Sequence, residues 1–330
     1  MAGEQPYGTA QAGVLATYCR VPYVPDPAQL AGADVVIVGA PFDDGVSHRS
    51  GARFGPRAIR LAEDVGGPPA RPHMELGVDP FAELNVVDHG DVEVMPAVLA
   101  ESHAALRRAL DSVLGAGAVP AVLGGDHSLS LPQLEALAAR HGPDGYSVIH
   151  FDTHADTGEE VYGATLSHGT PFYKGVVDGV LDGRNIVQVG LRGAWPSPPE
   201  FQWMRDAGFR WHTMGEIDER GLAAVLDDAI AYARERAPRT YLTVDVDVLD
   251  PAYAPGTGTP EPGGLTTREL LGAVRRIGRE VDLAALDVVE VSPPYDPAGI
   301  TALAAQRTIL EALSGMALRR SGREARPERP

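Results

Sequence analysis

Aspartate and histidine side chains alternate over residues 152–156, directly after a short apolar run. Successive side chains of an extended chain point to opposite faces, so Asp152, His154 and Asp156 are predicted to share one face. Two carboxylates and an imidazole on one face suit a divalent metal that accepts both oxygen and nitrogen ligands. Three ligands leave coordination positions unfilled, so further ligands are expected from other parts of the chain.

Two more clusters follow apolar runs in the same way. Asp245 and Asp247 come after residues 240–244. His127 lies in a Gly-Gly-Asp-His-Ser motif after residues 119–123. A single cluster of this kind would be interpreted as a capped strand end or an acidic turn. Three clusters at predicted strand ends, the edge of an open α/β sheet where sites assemble, favour a metal centre instead.

The number and type of these side chains indicate two metal ions rather than one. A catalytic zinc typically takes three protein ligands, whereas two ions about 3.5–4 Å apart share bridging carboxylates. Sulfur-free, carboxylate-rich ligation favours manganese over zinc or copper and leaves nickel and iron open. The six predicted ligands are His127, Asp152, His154, Asp156, Asp245 and Asp247.

The composition limits the class of partner. The 330-residue chain is 44% hydrophobic, enough for the core of one large α/β domain. Its formal charge of −17 argues against binding to nucleic acid or to an anionic membrane surface. An acidic protein would instead steer a small cationic substrate towards its site.

Cysteine usage and hydropathy predict a soluble cytoplasmic protein. Cys19 is the only cysteine, so a disulfide framework within the chain is ruled out. The first residues lack a basic segment followed by an apolar core, so no signal peptide is expected. No apolar run approaches the ~20 residues that a membrane-spanning helix needs.

Predicted strands and helices alternate along the chain. About eight strands are expected, which implies a mostly parallel sheet covered by helices on both faces, although a closed β/α barrel fits the same alternation. One long helix is predicted over residues 216–236. Residues 1–32 are interpreted as an N-terminal arm, 33–318 as one catalytic domain and 319–330 as a disordered tail.

Taken together, four motifs and one glutamate resemble the ureohydrolase superfamily, which includes arginases and agmatinases. The likeness runs from about Tyr7 to about Leu318. It implies a three-layer α-β-α sandwich around a sheet of about eight strands, and a homohexamer or trimer in which the arm contributes to subunit contacts. The motifs are Gly124–Ser128, Asp152–Asp156, Ser167–Pro171 and Asp245–Pro251, and the glutamate is Glu290.

The resemblance also assigns the metal ligands. One ion would bind His127, Asp152, Asp156 and Asp245, and the other would bind His154, Asp152, Asp245 and Asp247. Asp152 and Asp245 would therefore bridge the two ions. Cations lower the pKa of water, so hydroxide becomes available near neutral pH to attack the guanidinium carbon of a substrate.

Three residues receive catalytic roles from the resemblance. Asp156 would orient the nucleophile and relay its proton. Glu290 would hold the planar guanidinium through paired hydrogen bonds. His168 would protonate the leaving amine. Without the resemblance, Glu290 is equally well explained as a strand-end carboxylate bound to backbone amides, and His168 is better explained as a structural histidine.

The expected reaction is the hydrolysis of a guanidino compound to urea and an amine. Arginases hold an amino-acid substrate with polar side chains at three positions where this chain has Gly158, Ala164 and Trp195. The decarboxylated substrate agmatine, which yields putrescine and urea, is therefore predicted, as in polyamine biosynthesis. Guanidinobutyrate, guanidinopropionate, proclavaminate-type precursors and free guanidine are the alternative substrates.

Two loops, 157–167 and 193–200, are expected to contact the part of the substrate that lies beyond the guanidinium. Thr259, Tyr162 and Trp195 are the predicted substrate contacts. Arg49, Lys174 and Arg192 are cationic candidates for binding a substrate carboxylate. His48 is a further candidate, because its loop is expected to line the mouth of the pocket.

Two other classes of protein fit part of the pattern. A metal-binding relative without catalysis would keep the ligands, but the presence of His168 and Glu290 argues for activity. A metal-dependent deacylase on a related fold, of the histone deacetylase kind, would share a metal centre. The Ser-His-Gly-Thr-Pro motif around His168 argues against that reaction.

Overall fold

A computed structural model describes residues 16–62 and 70–322 of the chain. In this part the strands are β1 Val35–Ala40, β2 Val86–Asp91, β3 Val119–Gly124, β4 Ser147–Phe151, β5 Ile186–Leu191, β6 Arg210–Thr213, β7 Thr240–Asp245 and β8 Leu283–Val289. They form one sheet in the spatial order β2-β1-β3-β8-β7-β4-β5-β6. All neighbouring strands are parallel.

The sheet divides its apolar side chains between two hydrophobic cores, one on each face. In β1, Val35 and Ile37 belong to the first core, whereas Val36 and Val38 belong to the second. This division follows from the two-residue period of a strand. Because both faces are buried, the strands are near-continuous runs of aliphatic residues, as parallel sheets require.

Ten helices flank the sheet in the described residues, and none of them combines the length and apolar character needed to cross a bilayer. They are α1 Gly55–Leu61, α2 Pro80–Glu83, α3 Leu99–Gly115, α4 Ser130–His141, α5 Pro171–Val177, α6 Pro198–Ala207, α7 Met214–Arg220, α8 Leu222–Arg236, α9 Thr267–Glu280 and α10 Ile300–Ser321. The first core contains Ile277 of α9 and Leu313 of α10. The second contains Leu106 of α3 and Leu134 of α4. This open three-layer sandwich confirms the predicted α-β-α fold and excludes the barrel.

Three boundaries differ from the sequence prediction. The single helix predicted over 216–236 is two helices, α7 and α8, because Gly221 adopts a φ of 80° that interrupts the helix. The edge strand β6 was not predicted, and only His212 of its four residues is buried. Helix α10 continues to Ser321, so the first three residues of the predicted disordered tail are helical. Residues 323–330 of that tail lie outside the described residues.

The described part of the N-terminal arm, residues 16–32, packs against the rest of the domain. Tyr18 is buried, and its hydroxyl donates a hydrogen bond of 2.8 Å to the carbonyl of Gln306. The Tyr18 N–H donates to Asp88 Oδ2 at 2.8 Å. A role of this arm in subunit contacts remains a prediction, and residues 1–15 lie outside the described part.

Four adjacent strands, β3, β8, β7 and β4, end where the polar motifs lie. His127 follows β3, and Glu290 directly follows β8. Asp245 is the last residue of β7, and Asp152 directly follows β4. Since the strands are parallel, their carboxyl ends meet at one edge of the sheet. The fold therefore brings motifs that are far apart in sequence to one place.

Helices α9 and α10 approach each other closely at two glycines. A Cβ atom at Gly315 would lie 2.3 Å from the carbonyl oxygen of Arg275, and one at Gly278 would lie 2.5 Å from that of Ala312. Both distances are far shorter than a van der Waals contact, so any side chain at these positions forces the helices apart.

We expect Gly315→Ala to lower the free energy of unfolding by about 1–3 kcal/mol, because the added methyl group overpacks this interface. Gly272→Ala is the matched control, since Gly272 lies on the exposed face of α9 and a Cβ there meets no described atom within 4 Å. The free energy of unfolding of that control should rise by about 0.5–1 kcal/mol, because alanine has a better helix propensity than glycine. Denaturant unfolding of both variants measures the difference, and equal midpoints would contradict the packing argument.

Candidate metal centre

The loop after β3 positions the first imidazole of the centre. His127 opens a short 3₁₀ helix, and the Asp126 side chain caps that helix by accepting the Ser128 N–H at 3.0 Å. Asp126 Oδ2 also accepts the N–H of Gly45 at 2.8 Å, which ties this loop to the one after β1. His127 is fully buried and is directed towards the ends of β4 and β7.

Three carboxylates surround one ring nitrogen of His127. Its Nδ1 lies 3.0 Å from Asp152 Oδ2, 2.9 Å from Asp156 Oδ2 and 3.4 Å from Asp245 Oδ2. Within the described residues this buried nitrogen makes no hydrogen bond of acceptable geometry. Nitrogen and oxygen donors converge here on one point, as ligands of a divalent cation do.

A second group of donors adjoins the first and shares Asp152 with it. His154 Nδ1 lies 3.4 Å from Asp152 Oδ1 and 3.2 Å from Asp247 Oδ2. Asp247 is held in place by its own N–H, which donates to Asp245 Oδ1 at 2.8 Å. The structure thus brings together all six predicted ligands in two overlapping groups, and the two oxygens of Asp152 belong to different groups.

The carboxylates of this centre are buried and repel one another. Burial raises the pKa of Asp245 well above its usual value, and the negative charges of Asp247 and Asp152 raise it further. Burial and the charge of Asp152 raise the pKa of Asp247 to about 6. Burial disfavours a charged His127, but the close carboxylates of Asp152, Asp156 and Asp245 outweigh it and raise the pKa of that imidazole. Four acidic side chains and two imidazoles in such a space fit a pair of divalent cations.

A buried hydrogen-bond chain fixes the ring of His127 from behind. His127 Nε2 lies 2.9 Å from Thr243 Oγ1, and the Thr243 hydroxyl donates to Asp287 Oδ1 at 2.7 Å. Tyr241 and Gln133 donate to the other oxygen of Asp287. Because the threonine proton is used on Asp287, His127 must donate from Nε2, which leaves the lone pair of Nδ1 facing the carboxylates.

His150 is a member of the centre that sequence reasoning missed. Its Nε2 lies 2.9 Å from Asp152 Oδ2, and its Nδ1 accepts from Gln188 Nε2 at 3.0 Å. The imidazole therefore accepts at Nδ1 and donates from Nε2 to Asp152, so it orients that carboxylate. The alternation of β4 offered the signal, since residues 150 and 152 share one face of the strand.

The predicted proton shuttle and the predicted guanidinium ligand contact each other. His168 Nδ1 lies 3.0 Å from Glu290 Oε1, which also accepts the backbone N–H of His127 at 2.9 Å. Burial lowers the pKa of His168, but the charge and hydrogen bond of Glu290 outweigh it and raise this pKa to about 9. Glu290 Oε2 is buried and makes no hydrogen bond within the described residues.

Two residues of the centre have strained backbones. Asp156 has a φ of 53° and Glu290 a φ of 65°, in the left-handed region that non-glycine residues rarely occupy. Such conformations cost of order 1 kcal/mol or more each and persist where the surrounding structure enforces them. Both side chains lie in the centre, with Asp156 beside His127 and Glu290 beside His168.

A cavity of about 270 Å³ opens from this centre to the surface. The three predicted substrate contacts, Thr259, Tyr162 and Trp195, all line it. The side chain of Tyr162 is 94% exposed and that of Trp195 61% exposed, so both lie at the rim. Thr259 lies deeper, and its hydroxyl donates to Asp247 Oδ2 at 3.2 Å.

The cationic candidates and His48 do not line the cavity in the described residues. Arg192 donates to backbone carbonyls, including that of Asp247 at 2.7 Å. The guanidinium of Arg49 lies over the ring of Tyr295. Lys174 pairs with Asp178. The loop that carries His48 does reach the cavity, but through the neighbouring Ser47, which the sequence analysis did not single out.

Known proteins resemble the chain over most of its length. The sequence profile of the arginase family matches residues 33–315. A guanidinobutyrase from Pseudomonas aeruginosa is 42% identical over 91% of this chain and 92% of its own length. A mitochondrial agmatinase from Gallus gallus is 39% identical over 89% of this chain and 84% of its own length.

Solved structures share the fold. Proclavaminate amidinohydrolase from Streptomyces clavuligerus has a TM-score of 0.83 at 38% identity, over 92% of this chain and 98% of the other. A formiminoglutamase from Trypanosoma cruzi, solved with Mn2+, has a TM-score of 0.78 at 27% identity, over 86% of this chain and 94% of the other.

Metal loading should stabilise the protein, because cations neutralise carboxylates that otherwise repel one another in a buried space. Mn2+ at about 100 times its Kd should add about 2.7 kcal/mol to the free energy of unfolding of metal-stripped protein. Asp247→Asn removes one negative charge at constant size, so its metal-free form should be at least as stable as metal-free wild type. Thermal melts with and without Mn2+ test both points, and an equal Mn2+ shift in wild type and variant would contradict the assignment.

Loss of the Thr243 hydroxyl should weaken metal binding without removing a ligand. Thr243→Val leaves His127 free to turn or to change tautomer, and losing such a supporting group typically costs about 10–100-fold in metal affinity. Thr243→Ser is the control, since it keeps the hydroxyl. Competition with a fluorescent chelator measures Mn2+ affinity, and an unchanged Kd in Thr243→Val would rule out this supporting role.

Proposed function

The chain belongs to the arginase family and is a hydrolase acting on guanidino carbon–nitrogen bonds, and from this we propose that it converts agmatine to putrescine and urea. The charge of the cavity is the observation that carries the proposal. Glu160 and Glu200 line it outside the proposed metal centre, whereas no arginine or lysine does so in the described residues. The distal ammonium of agmatine would meet carboxylates there, while a distal carboxylate would meet like charge.

The shape and the aromatic residues of the cavity support a cationic substrate as well. At Gly158, a Cβ atom would lie 3.1 Å from the carbonyl oxygen of Gly169 and 3.5 Å from Glu200 Oε1. The missing side chain therefore leaves space beside the Glu200 carboxylate. The exposed rings of Tyr162 and Trp195 at the rim offer faces that attract ammonium groups.

We assign the six acidic and imidazole side chains to two divalent metal ions. His127, Asp152, Asp156 and Asp245 would hold one, and His154, Asp152, Asp245 and Asp247 the other. A metal pair held here, Mn2+ by preference with Ni2+ or Fe2+ as alternatives, would supply hydroxide near neutral pH by lowering the pKa of water. Asp156, with one oxygen beside His127 Nδ1, would orient the attacking oxygen and accept its proton.

The remaining residues bind the guanidinium and supply a proton. Glu290 Oε2, which is buried and makes no hydrogen bond within the described residues, would accept from guanidinium N–H groups. His168, with its raised pKa, is protonated at neutral pH and would protonate the leaving nitrogen as its bond to the central carbon breaks. The leaving group departs as the neutral amine and becomes an ammonium ion with the proton that Asp156 took from the attacking oxygen. That oxygen becomes the carbonyl oxygen of urea.

Guanidino acids are the second candidate substrates. The guanidinobutyrase from Pseudomonas aeruginosa is 42% identical to this chain. The hydroxyls of Ser47 and Thr157 and the exposed backbone of the two rim loops would then supply neutral donors to a substrate carboxylate. A cytoplasmic location and assembly into a homohexamer or trimer also remain proposals.

A panel of guanidines distinguishes the candidates. We expect Mn2+-loaded protein to release urea from agmatine with a kcat/KM at least about tenfold above that for 4-guanidinobutyrate, 3-guanidinopropionate, arginine or free guanidine, a difference of about 1.4 kcal/mol. A chelated sample should be inactive. A preference for 4-guanidinobutyrate would establish the second candidate in place of the first.

Glu200→Gln tests the electrostatic argument directly. Glutamine keeps the oxygen that accepts the Ser197 N–H at 2.6 Å in the cap of α6, so the local structure should persist. We expect kcat/KM for agmatine to fall about tenfold, mainly through KM, because one interaction with the ammonium is lost. Activity on free guanidine, which has no distal group, should not change. Equal losses on both substrates would contradict a role in recognition.

A further inference from the structure

The loop after β1 contributes one hydroxyl to the wall of the cavity. Ser47 Oγ lies 2.7 Å from Nε2 of His168. The Ser47 backbone N–H donates to the same nitrogen at 3.2 Å. One N–H donor and one hydroxyl of the same residue therefore lie beside Nε2 of His168, while Glu290 contacts Nδ1, the other ring nitrogen.

The two ring nitrogens of His168 have different partners, and these define their roles. Glu290 Oε1 only accepts, so Nδ1 carries a hydrogen in every protonation state. Nε2 is then the atom that gains and loses the transferable proton. The Glu290 carboxylate favours the protonated ring, while the Ser47 N–H favours the neutral one, because it points at the Nε2 lone pair. The two contacts therefore favour opposite protonation states of the ring.

A hydroxyl is suited to both states, since it donates or accepts by rotating about its C–O bond. We propose that Ser47 is a positioning residue for proton transfer, which holds Nε2 of His168 at the cavity wall whether or not that nitrogen is protonated. It accepts from Nε2–H before the transfer and donates to Nε2 afterwards. The proton passes to the leaving nitrogen as the carbon–nitrogen bond breaks, and Nε2 regains a proton from water in the cavity.

The loop holds Ser47 in this position before any substrate binds. The carbonyl of Gly45 accepts the His168 N–H at 3.0 Å and the Ser167 hydroxyl at 2.9 Å. The Gly45 N–H donates to Asp126 Oδ2 at 2.8 Å. A Cβ atom at Gly45 would lie 3.0 Å from that oxygen and 3.2 Å from the backbone nitrogen of His168, so the close approach favours glycine. Ser47 and His168 are thus parts of one bonded unit.

The inference rests on the proposed role of His168, and steady-state kinetics test it. Ser47→Ala should lower kcat about tenfold, while KM and Mn2+ affinity stay within about twofold. The loss should be smaller than the ~10²–10⁴-fold that a positioned acid contributes, because His168 itself remains. Ser47→Thr should restore most of kcat, because it keeps the hydroxyl. Ser50→Ala is the control in the same loop, since Ser50 is exposed and does not line the cavity. An unchanged kcat in Ser47→Ala, or a loss in KM alone, would overturn the proposal.

A double-mutant comparison separates positioning from general disturbance. In a His168→Asn background, Ser47→Ala should change kcat less than about twofold, because Ser47 acts through the imidazole. A further tenfold loss there would show that Ser47 acts elsewhere and would overturn the proposal. Melting temperatures of all variants identify any that fail to fold.

An NMR measurement tests the role of Ser47 without catalytic turnover. In metal-stripped, full-length protein with ¹⁵N-labelled histidine, His168 should give the signal of an Nδ1-protonated ring held in one orientation. Ser47→Ala should broaden or shift its Nε2 resonance, whereas Ser50→Ala should not. Identical wild-type and Ser47→Ala spectra would overturn the proposal. If wild type releases urea from no guanidine of the panel, the proposed function fails, while these spectra still decide the role of Ser47.

Discussion

Buried negative charge at the carboxyl edge of the sheet is the constraint on which the site depends. Asp152, Asp245 and Asp247 are almost completely removed from water, and burial and the charge of Asp152 raise the pKa values of the last two. Close by, burial and the charge of Glu290 raise the pKa of Asp126 to about 7. Carboxylates in this arrangement must either take up protons or face cations. A parallel sheet makes the arrangement achievable, because four adjacent strands end together and each delivers one polar loop to the same place.

The site residues are held by contacts that lie one layer further from the cavity. The side chain of Asp287 in the middle of β8 holds Thr243, which fixes His127, and Gln188 in β5 holds His150, which orients Asp152. These buried polar groups lie among aliphatic side chains, where an unsatisfied donor or acceptor would be costly. Thr243 and His150 each bond a residue of a neighbouring strand, so their orientation follows from strand pairing. The same parallel pairing that builds the core thus sets the geometry of the centre.

The sequence predicted those residues of the site that belong to local sequence motifs. The six proposed ligands stand in short motifs after apolar runs, and the common carboxyl edge of the parallel strands brings them together. The predicted strand alternation over 152–156 was wrong, because β4 ends at Phe151 and Asp156 has a left-handed backbone. His150 was passed over because it lies inside the predicted strand. Ser47 could not be found this way, since the direction of a loop residue depends on hydrogen bonds to distant segments such as that of Gly45 to Asp126. The left-handed backbone of Glu290 is likewise enforced by tertiary contacts and not by its neighbours in sequence.

The same division explains why the reaction class is easier to infer than the substrate. The guanidinium end of any substrate would meet the strand-end residues, whose identities and spacing carry the family resemblance. The distal end would meet residues such as Trp195, which lies in a loop, and Glu200, which lies in the first turn of α6. Charge, hydration and loop position together decide what these residues contribute to the free energy of substrate binding. One substitution can make a favourable contribution unfavourable. Under the proposed function, selectivity between an ammonium and a carboxylate would rest on a few rim carboxylates, while bond cleavage would depend on the residues at the sheet edge beneath them.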